Sequence, residues 1–284
     1  MITVTGATGN VGRTLVELLA GAGAGEEVRA VSRQAAPGAG GTPGVHWVRT
    51  DIGTAAGLRP AVEGARALFL LLGGELNSHG EDPAGLVGAA RDAGVERIVL
   101  VSSLAAATRP DAASHDRLRE FEAAVRASGA DHTVLRPGGF ASNAFAWAET
   151  VRTRRTVFAP FGDVALPVVD PADIAAVAAA ALREDGHAGR TYELTGPEAV
   201  TPRRQTEAIA RALGEDVAFV ELSRTEAHAR MVTFMPEEVV RGTLDVLGLP
   251  LPEEQKAGPD VEAVLGRPAA PFEAWVARHL PAFR

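Results

Sequence analysis

The first 135 residues repeat one pattern, in which a short apolar run is followed by a stretch with helical spacing of apolar residues. Two of the runs, ALFLLL at 67–72 and RIVLVS at 97–102, contain hardly any polar side chain. A strand without polar alternation is covered on both faces, as in a parallel sheet between helices. The pattern therefore predicts a doubly wound α/β fold.

The same patterns give expected positions for the elements. Strands are expected at 2–5, 27–32, 46–50, 67–72, 97–102, 132–135 and 191–194. Helices are expected at 11–20, from 58 onward, at 83–93, 118–125, 173–182 and 205–213, the last after a cap at Thr201. Beyond residue 136 the alternation weakens, and we expect loops and irregular helix at 150–169 and helix and loop at 223–284.

The composition narrows the possible partners. The net charge of −8 argues against a nucleic acid or an anionic membrane surface, since both favour a basic protein. The absence of cysteine excludes disulfides and thiolate chemistry, and the seven histidines form no HxxxH or HExxH pair, so no metal site is expected. No apolar run approaches the roughly 18 residues of a membrane helix, and a strand is expected at residue 2. We therefore expect a soluble, cytoplasmic protein.

A glycine-rich turn, TGATGNVGR at 5–13, lies between the first strand and the first helix. Glycine permits a tight turn and lets backbone N–H groups approach a pyrophosphate at the positive end of the helix. The spacing is GxxGxxG, which is weak evidence alone but strong when it opens a series of strand–helix units. We predict a dinucleotide site formed by Gly6, Thr8, Gly9, Asn10, Val11 and Gly12.

The end of the second strand indicates which dinucleotide is bound. An NAD-binding protein would carry a carboxylate there for the ribose hydroxyls, whereas this chain has Ser32 and Arg33. A guanidinium pairs with a 2′-phosphate, so Arg33 and Ser32 predict NADP(H). Asp51, at the end of the third strand, either accepts a hydrogen bond from the adenine amino group or caps the following helix.

Several further motifs resemble those of the NmrA-like, atypical short-chain dehydrogenase/reductase family. They are LRPGGF at 135–140 with Asn143, PVVDPADIA at 167–175, YELTGPEAVT at 192–201 and VEAVLGRPAAPFEAWVARH at 261–279. The resemblance implies an NAD(P)-binding Rossmann domain over 1–150, its sheet completed by 165–196, and a smaller, mostly helical substrate lobe over 151–284. Family members include quinone, dye, iminium and ether reductases, and redox sensors without turnover.

Strand ends supply further candidate residues. Leu72 and Gly73 are expected to contact the cofactor ribose through their backbone. Ser102 and Ser103 end the fifth strand, at the edge of the sheet where ligands gather in such folds. Ser102 is expected to contact the cofactor, and superfamily relatives use a serine here to hold the substrate carbonyl. The alternative for both serines is a hydrogen bond to the next turn. The resemblance places Pro137 and Gly138 beside the nicotinamide.

The Tyr-x-x-x-Lys pair of the catalytic superfamily is missing from the chain. Its tyrosine place falls on Ser114 and its lysine place on Leu118, while the only tyrosine, Tyr192, lies on a late strand. Reduction of an ordinary ketone needs an acid beside the nascent alkoxide, whereas a quinone gives a phenolate-like anion and an iminium gives no anion. The absence of the Tyr-x-x-x-Lys pair therefore restricts the class of hydride acceptor without excluding an enzyme. Ser103 and His115 are the candidate catalytic proton donors.

Aromatic side chains cluster in one segment, at Phe140, Phe145, Trp147, Phe158 and Phe161. Core packing explains most of them, but a flat apolar acceptor also suits such surroundings. We expect Phe140, Asn143 and Phe161 to contact the substrate, and Met231, Phe234 and Met235 to share one helical face.

Three functions fit the sequence. The favoured one is an NADPH-dependent reductase of a quinone-like, enone or iminium acceptor, which would be a small apolar or aromatic electrophile bound by a monomer or homodimer. An NADP(H)-sensing regulator without turnover is the alternative. A non-redox isomerase or cyclase with the nucleotide as a scaffold is a minor third.

Overall fold

The computed structural model describes residues 1–21, 26–33, 42–73 and 80–284. In this part of the chain seven strands form the larger sheet: β1 (Ile2–Val4), β2 (Val28–Ser32), β3 (Val45–Arg49), β4 (Ala67–Leu71), β5 (Arg97–Val101), β6 (Asp131–Pro137) and β8 (Arg190–Leu194). A smaller sheet pairs β7 (Thr156–Pro160) with β9 (Ala218–Leu222).

The larger sheet has the order β3-β2-β1-β4-β5-β6-β8, and the pairings from β3 to β6 are parallel. Strand β1 pairs with β2 at Ile2↔Val28 and with β4 at Ile2↔Ala67. The strand order therefore reverses beside the carboxyl end of β1, where open α/β sheets bind ligands. The predicted doubly wound fold is confirmed.

Helices cover the sheet and form most of the remaining chain. They are α1 (Asn10–Gly21), α2 (Ala55–Val62), α3 (Pro83–Asp92), α4 (Leu104–Thr108), α5 (Asp116–Ala127), α6 (Ala148–Arg154), α7 (Pro171–Arg183), α8 (Pro202–Leu213), α9 (Arg224–Met231), α10 (Glu237–Gly248), α11 (Asp260–Leu265) and α12 (Phe272–His279). Short 3₁₀ helices lie at Ala113–His115, Ala141–Trp147 and Leu280–Phe283.

Both faces of the central strands of the larger sheet are buried, which explains the unbroken apolar runs of β4 and β5. Leu68, Leu70 and Leu100 pack in one cluster with side chains of α2, α3 and α5. Phe69 and Val99, which alternate with them along β4 and β5, are also fully buried. They point to the opposite face, because side chains alternate along a strand, and α7 packs against β4 and β5.

The smaller sheet is the main feature that the sequence analysis missed. Strand β7 lies in a segment expected to be loop, and its register with β9 begins at Thr156↔Ala218. Each strand has only five residues, and the partners are far apart in sequence. Neither strand shows a turn signal that would have connected it to the other.

Two helix predictions need correction. The helix expected to begin at 58 is α2, which ends at Val62 and begins after Thr54, whose side chain accepts a hydrogen bond from Gly57 N. The expected face of Met231, Phe234 and Met235 is wrong, because α9 ends at Met231 and Phe234 is 70% exposed. The predicted cap Thr201 is confirmed, since it accepts a hydrogen bond from Arg204 N.

The chain divides into two compact units. The first comprises 1–106, 115–137 and 171–193, and the second comprises 107–114, 138–170 and 194–284. The expected boundary at 150 lies inside the second unit, which takes over at Gly138. Segment 165–196, expected to complete the larger sheet, contributes β8. None of the helices in the described ranges is both long and apolar enough to cross a membrane.

Candidate functional site

The glycine turn starts where Thr5 fastens the end of β1 to β4. The buried Thr5 Oγ1 donates to Phe69 O (3.0 Å) and accepts from Leu71 N (2.8 Å). Gly6 then adopts a left-handed backbone with φ +64°, and Gly9 N donates to Gly6 O (2.9 Å). The chain thus reverses within a few residues and enters α1 at Asn10.

Gly12 decides how closely the first turn of α1 approaches this loop. A Cβ atom at Gly12 would lie 2.2 Å from Gly6 O and 2.7 Å from Gly6 C, so only glycine fits. Val11 is buried and can offer a ligand only its backbone, whereas Gly9 and Asn10 are exposed and Thr8 is half-buried. The turn presents backbone N–H groups at a helix N-terminus, which suits a pyrophosphate.

The end of β2 lies next to the glycine turn. Ser32 is buried, and its Oγ lies 3.2 Å from Thr8 Oγ1. Arg33 is exposed at the end of the strand, as expected for a residue that binds a phosphate. The structure therefore brings Thr8 and Ser32 together and places Arg33 at the adjacent edge of the sheet.

Arg49 is a candidate that the sequence analysis missed. It pairs in register with Ser32 at the end of β3, and its Nε donates to Arg33 O (3.1 Å). Within the described ranges neither Arg33 nor Arg49 forms an ion pair with a carboxylate. The strand register brings Arg49 to this edge, and that register cannot be deduced from either strand alone.

Asp51 is exposed and forms a local turn. Its Oδ1 accepts from Gly53 N (3.0 Å), while Thr54 provides the cap of α2. The helix-cap alternative for Asp51 is therefore wrong, and contact with the adenine remains a prediction.

Leu72 and Gly73 follow the end of β4 at Leu71, one residue earlier than expected. Leu72 is buried and Gly73 is exposed, and a Cβ atom at Gly73 would have no atom of a described residue within 4 Å. A cofactor contact at these residues would therefore involve their backbone, as expected from the sequence.

Ser102 and Ser103 have different hydrogen bonds. Ser102 is buried, and its hydroxyl donates to Glu122 Oε1 (2.6 Å). Ser103 is half-buried, and its Oγ accepts from Ala105 N (3.2 Å) at the start of α4. The expected alternative of bonding to the next turn is thus observed for Ser103, but this bond uses an oxygen lone pair and not the hydroxyl proton.

Glu122 is the centre of a buried charge cluster. Its carboxylate also accepts from Arg136 (2.6 and 2.9 Å) and from Arg126 (2.8 Å). Burial raises the pKa of Glu122, but the hydrogen bonds from Arg136, Ser102 and Arg126 outweigh it and hold the pKa below its ordinary value. Glu122 is therefore ionised at neutral pH and fixes the orientation of the Ser102 hydroxyl.

The residues at the places of the missing dyad lie in different surroundings. Leu118 packs against the apolar cluster of the first unit. Ser114 lies against α10, because a Cβ at Gly242 would be 2.5 Å from Ser114 Oγ. His115 ends the 3₁₀ helix that precedes α5 and is half-buried.

The loop predicted to pass the nicotinamide begins at the end of β6. Pro137 is buried as the last residue of that strand, and Gly138 N donates to Leu194 O (2.9 Å). Phe140 is half-buried and forms an isolated bridge with Val169. Asn143 is exposed, and its backbone N donates to Phe140 O (3.0 Å).

Four of the five aromatic side chains in this segment separate into two groups. Phe145 packs on Trp275 with ring centroids 4.9 Å apart, and Trp147 joins the same core cluster, so both serve structure. Phe158 and Phe161 pack instead against Leu222, Ala227, Val240 and Leu244. Phe161 is half-buried and has a left-handed backbone with φ +54°, which is uncommon outside glycine and often marks functional sites.

A glycine turn for a pyrophosphate at the switch point of a parallel sheet defines a dinucleotide-binding protein. Residues 6–185 match the NAD(P)H-binding family, and the chain belongs to that family. The predicted NmrA-like, atypical short-chain dehydrogenase/reductase membership is confirmed, as is the nicotinamide coenzyme.

Several proteins similar to this chain are named as reductases. A (4-alkanoyl-5-oxo-2,5-dihydrofuran-3-yl)methyl phosphate reductase of Streptomyces griseus is 39% identical, covering 100% of this chain and 99% of that protein. An NAD(P)H azoreductase of Xenophilus azovorans is 30% identical with the same coverage. The NADPH complex of an Escherichia coli NADPH-dependent quinone oxidoreductase superposes with a TM-score of 0.79 at 26% identity, covering 98% of this chain and 99% of that one. The chain is an oxidoreductase, as predicted.

Proposed function

We propose that the chain is an NADPH-dependent reductase that transfers hydride to a quinone-like, enone or iminium acceptor without a tyrosine–lysine dyad. The names of its relatives support this class of acceptor. The Streptomyces griseus protein reduces an unsaturated lactone, and the Escherichia coli neighbour reduces quinones. In both compounds the reducible bond is conjugated to carbonyl groups.

The observation that carries the proposal is the absence of the usual acid. The chain contains one tyrosine, Tyr192, and one lysine, Lys256, so no Tyr-x-x-x-Lys pair exists. Tyr192 is bonded to His187, with its hydroxyl 2.8 Å from Nδ1. Ser114 occupies the tyrosine place and packs directly against Gly242.

The coenzyme, when bound, supplies the hydride, and the first unit supplies the groups that hold it. The backbone from Gly6 to Gly12 would bind the pyrophosphate, and Arg33 would pair with the 2′-phosphate. Arg49 joins Arg33 in this role, because its guanidinium lies against the Arg33 backbone and has no carboxylate partner in the described ranges. Two arginines so placed favour NADPH over NADH.

Proton delivery then requires little from the protein. An acceptor conjugated to carbonyls leaves a delocalised anion, which water can protonate, and an iminium leaves none. Glu122 is not a proton donor at neutral pH, since its pKa is lowered and it accepts from two arginines. We propose that the Ser103 hydroxyl and the His115 side chain assist proton delivery. Phe140, Asn143 and Phe161 are proposed to contact the acceptor.

The proposal is tested by following nicotinamide absorbance with three acceptors: a 2-acyl butenolide, methyl-1,4-benzoquinone and cyclohexanone. We expect NADPH consumption with the first two and none with cyclohexanone, which needs a proton donor at its carbonyl oxygen. NADH should serve less well at equal concentration. Turnover of cyclohexanone at a similar rate would contradict the acceptor class, and no consumption with any acceptor would favour the nucleotide sensor.

A further inference from the structure

The ring of Phe161 lies directly against the last residue of α10. A Cβ atom at Gly248 would be 2.6 Å from Phe161 Cζ, 2.7 Å from Cε1 and 3.0 Å from Cε2. These distances are shorter than any stable carbon–carbon contact, for which about 3.5–4.0 Å is optimal. The observed position of the ring therefore depends on the absence of a side chain at residue 248.

The backbone that carries Phe161 is held from outside its own turn. Gly162 N donates to Glu221 Oε1 (3.1 Å), and Arg203 N donates to Gly162 O (3.3 Å). The Arg203 guanidinium bonds both Glu221 (2.5 Å) and Asp163 (3.1 Å). It also stacks over the Phe219 ring at 4.6 Å. These contacts stabilise the left-handed conformation of Phe161, so its backbone cannot withdraw easily.

The end of α10 is fastened as well. Arg109 Nη2 donates to Leu249 O (2.8 Å), immediately after Gly248, and the same guanidinium is paired with the buried Glu254. Glu254 in turn accepts from Leu251 N (2.9 Å) and from Thr108 Oγ1 (2.7 Å). The helix end therefore has little freedom to move away from Phe161.

With both backbones held, an added methyl group at residue 248 must displace the Phe161 ring. The ring packs on one side against the cluster of Leu222, Val240 and Leu244 and is otherwise half-buried. Displacement away from that packed side and from α10 is the movement that meets least resistance. The ring would then move toward its solvent-exposed side.

We propose that Gly248 determines acceptor specificity by setting the position of the Phe161 ring, and so the size of acceptor that the protein admits. The inference rests on the proposed function in taking Phe161 as a residue that contacts the acceptor. Gly248 does not itself touch the acceptor and acts through Phe161. The size of the side chain at residue 248 therefore limits the position of the Phe161 ring.

The test compares methyl-1,4-benzoquinone with 2-methyl-1,4-naphthoquinone, which differ by one fused ring. For Gly248→Ala we expect kcat/KM for the naphthoquinone to fall about tenfold relative to the benzoquinone, because a pocket discriminates a small change in apolar volume by at least that factor. The dissociation constant for NADPH should not change. Equal losses for both quinones, or no loss, would overturn the proposal.

Two variants separate specificity from a general effect of the substitution. Gly88→Ala introduces the same methyl group within α3, where no described atom lies within 4 Å of it, and should leave both quinones unaffected. Phe161→Leu removes the ring atoms that the new Cβ would meet. In this background Gly248→Ala should therefore cause no further change in selectivity, and persistence of the tenfold effect would rule out Phe161 as the intermediary.

Binding of the two quinones to the NADP⁺-loaded protein, measured by calorimetry, does not depend on turnover. If neither quinone is reduced but Gly248→Ala still selectively weakens naphthoquinone binding, the inference stands and the proposed activity fails. Absence of binding of either quinone to the unaltered protein overturns the inference. If Gly248→Ala fails to fold, recovery of the fold by Phe161→Leu/Gly248→Ala supports the predicted clash, and failure of the double variant contradicts it.

Discussion

Two turns in this molecule use the same left-handed backbone but stabilise it differently. Gly6 has φ +64° and Phe161 has φ +54°. Glycine adopts this conformation without steric cost, whereas a residue with a side chain does so only when other contacts hold it there. The turn at Gly6 is therefore specified by residue type, and the turn at Phe161 by Glu221 and Arg203, which are distant in sequence.

This difference indicates how the proposed coenzyme-binding turn and the proposed acceptor contact are each specified. The glycine turn, the proposed coenzyme-binding turn, needs a similar geometry in Rossmann-type proteins that bind a dinucleotide, so a local glycine pattern suffices to specify it. The proposed acceptor contact has to match one class of substrate. Its position is assembled from long-range contacts, so that substitutions in several segments could alter it without affecting the coenzyme turn.

The largest expected effect comes from breaking the coenzyme turn. Gly12→Ala places a Cβ 2.2 Å from Gly6 O and 2.7 Å from Gly6 C. Because both of these atoms belong to the backbone, no change of side-chain rotamer relieves the clash. Distorting the turn to relieve such an overlap costs about 3 kcal/mol. If NADPH binds only the undistorted turn, this cost is taken from the binding free energy, and the affinity should fall roughly 100-fold. Quenching or enhancement of nicotinamide fluorescence on titration measures it. Gly88→Ala is the matched control, and an unchanged affinity for Gly12→Ala would contradict the assigned turn.

The next effect concerns the buried carboxylate of the first unit. Glu122→Gln removes the charge that binds Arg136 and Arg126, and the expected loss of unfolding free energy at neutral pH is about 2 kcal/mol, since Arg136 is partly exposed. The folded pKa is lowered, so this contribution is present above the unfolded pKa of about 4.3 and is lost as pH falls through the folded value. Urea titrations at neutral and acidic pH should show the difference between the two proteins shrinking in acid. A constant difference would assign the loss to packing.

A smaller effect is expected at the two arginines proposed to bind the 2′-phosphate. Arg33 is predicted from the sequence, whereas Arg49 is identified from the strand register. Arg33→Ala and Arg49→Ala should each weaken NADPH binding about tenfold, because each removes one charge-assisted bond to the 2′-phosphate at an exposed site. NADH binding should stay the same in both. Arg59→Ala, an exposed arginine on α2, is the control for a general loss of positive charge. If only Arg33→Ala discriminates between the coenzymes, Arg49 has no part in the selection.

The contacts that hold the Phe161 turn should matter less for global stability. Glu221→Gln weakens the pair with Arg203 while keeping an oxygen for Gly162 N, and both side chains of the pair are about half exposed. The expected loss is about 1 kcal/mol or less in unfolding free energy. Chemical denaturation against Glu207→Gln, an exposed glutamate on α8, measures it. A loss several times greater would mean that this turn supports the fold of the whole second unit.

The smallest effect is expected at the candidate proton donors. His115→Ala and Ser103→Ala should each lower quinone turnover by no more than about threefold, because a general acid typically contributes 10²–10⁴ only where the reaction requires one. Initial rates at saturating NADPH provide the measurement. Near-total loss in either variant would identify that side chain as the missing acid and widen the acceptor class to ordinary ketones.

The sequence determined the larger sheet and the coenzyme turn, because both depend on patterns within short segments. Unbroken apolar runs identify strands covered on both faces, and the glycines at 6, 9 and 12 identify the turn that follows the first strand. Arg33 is a candidate for the 2′-phosphate on the same grounds, because it is the residue directly after the end of its own strand.

Only the tertiary structure placed Arg49 beside Arg33, paired β7 with β9, and set Phe161 against Gly248. Each depends on the register or approach of segments that carry no local signal for one another. A sequence pattern reports how a segment is buried, but not which distant segment buries it. For that physical reason the proposed coenzyme contacts can be predicted from local residue patterns, whereas the proposed acceptor contact at Phe161 depends on packing between distant segments.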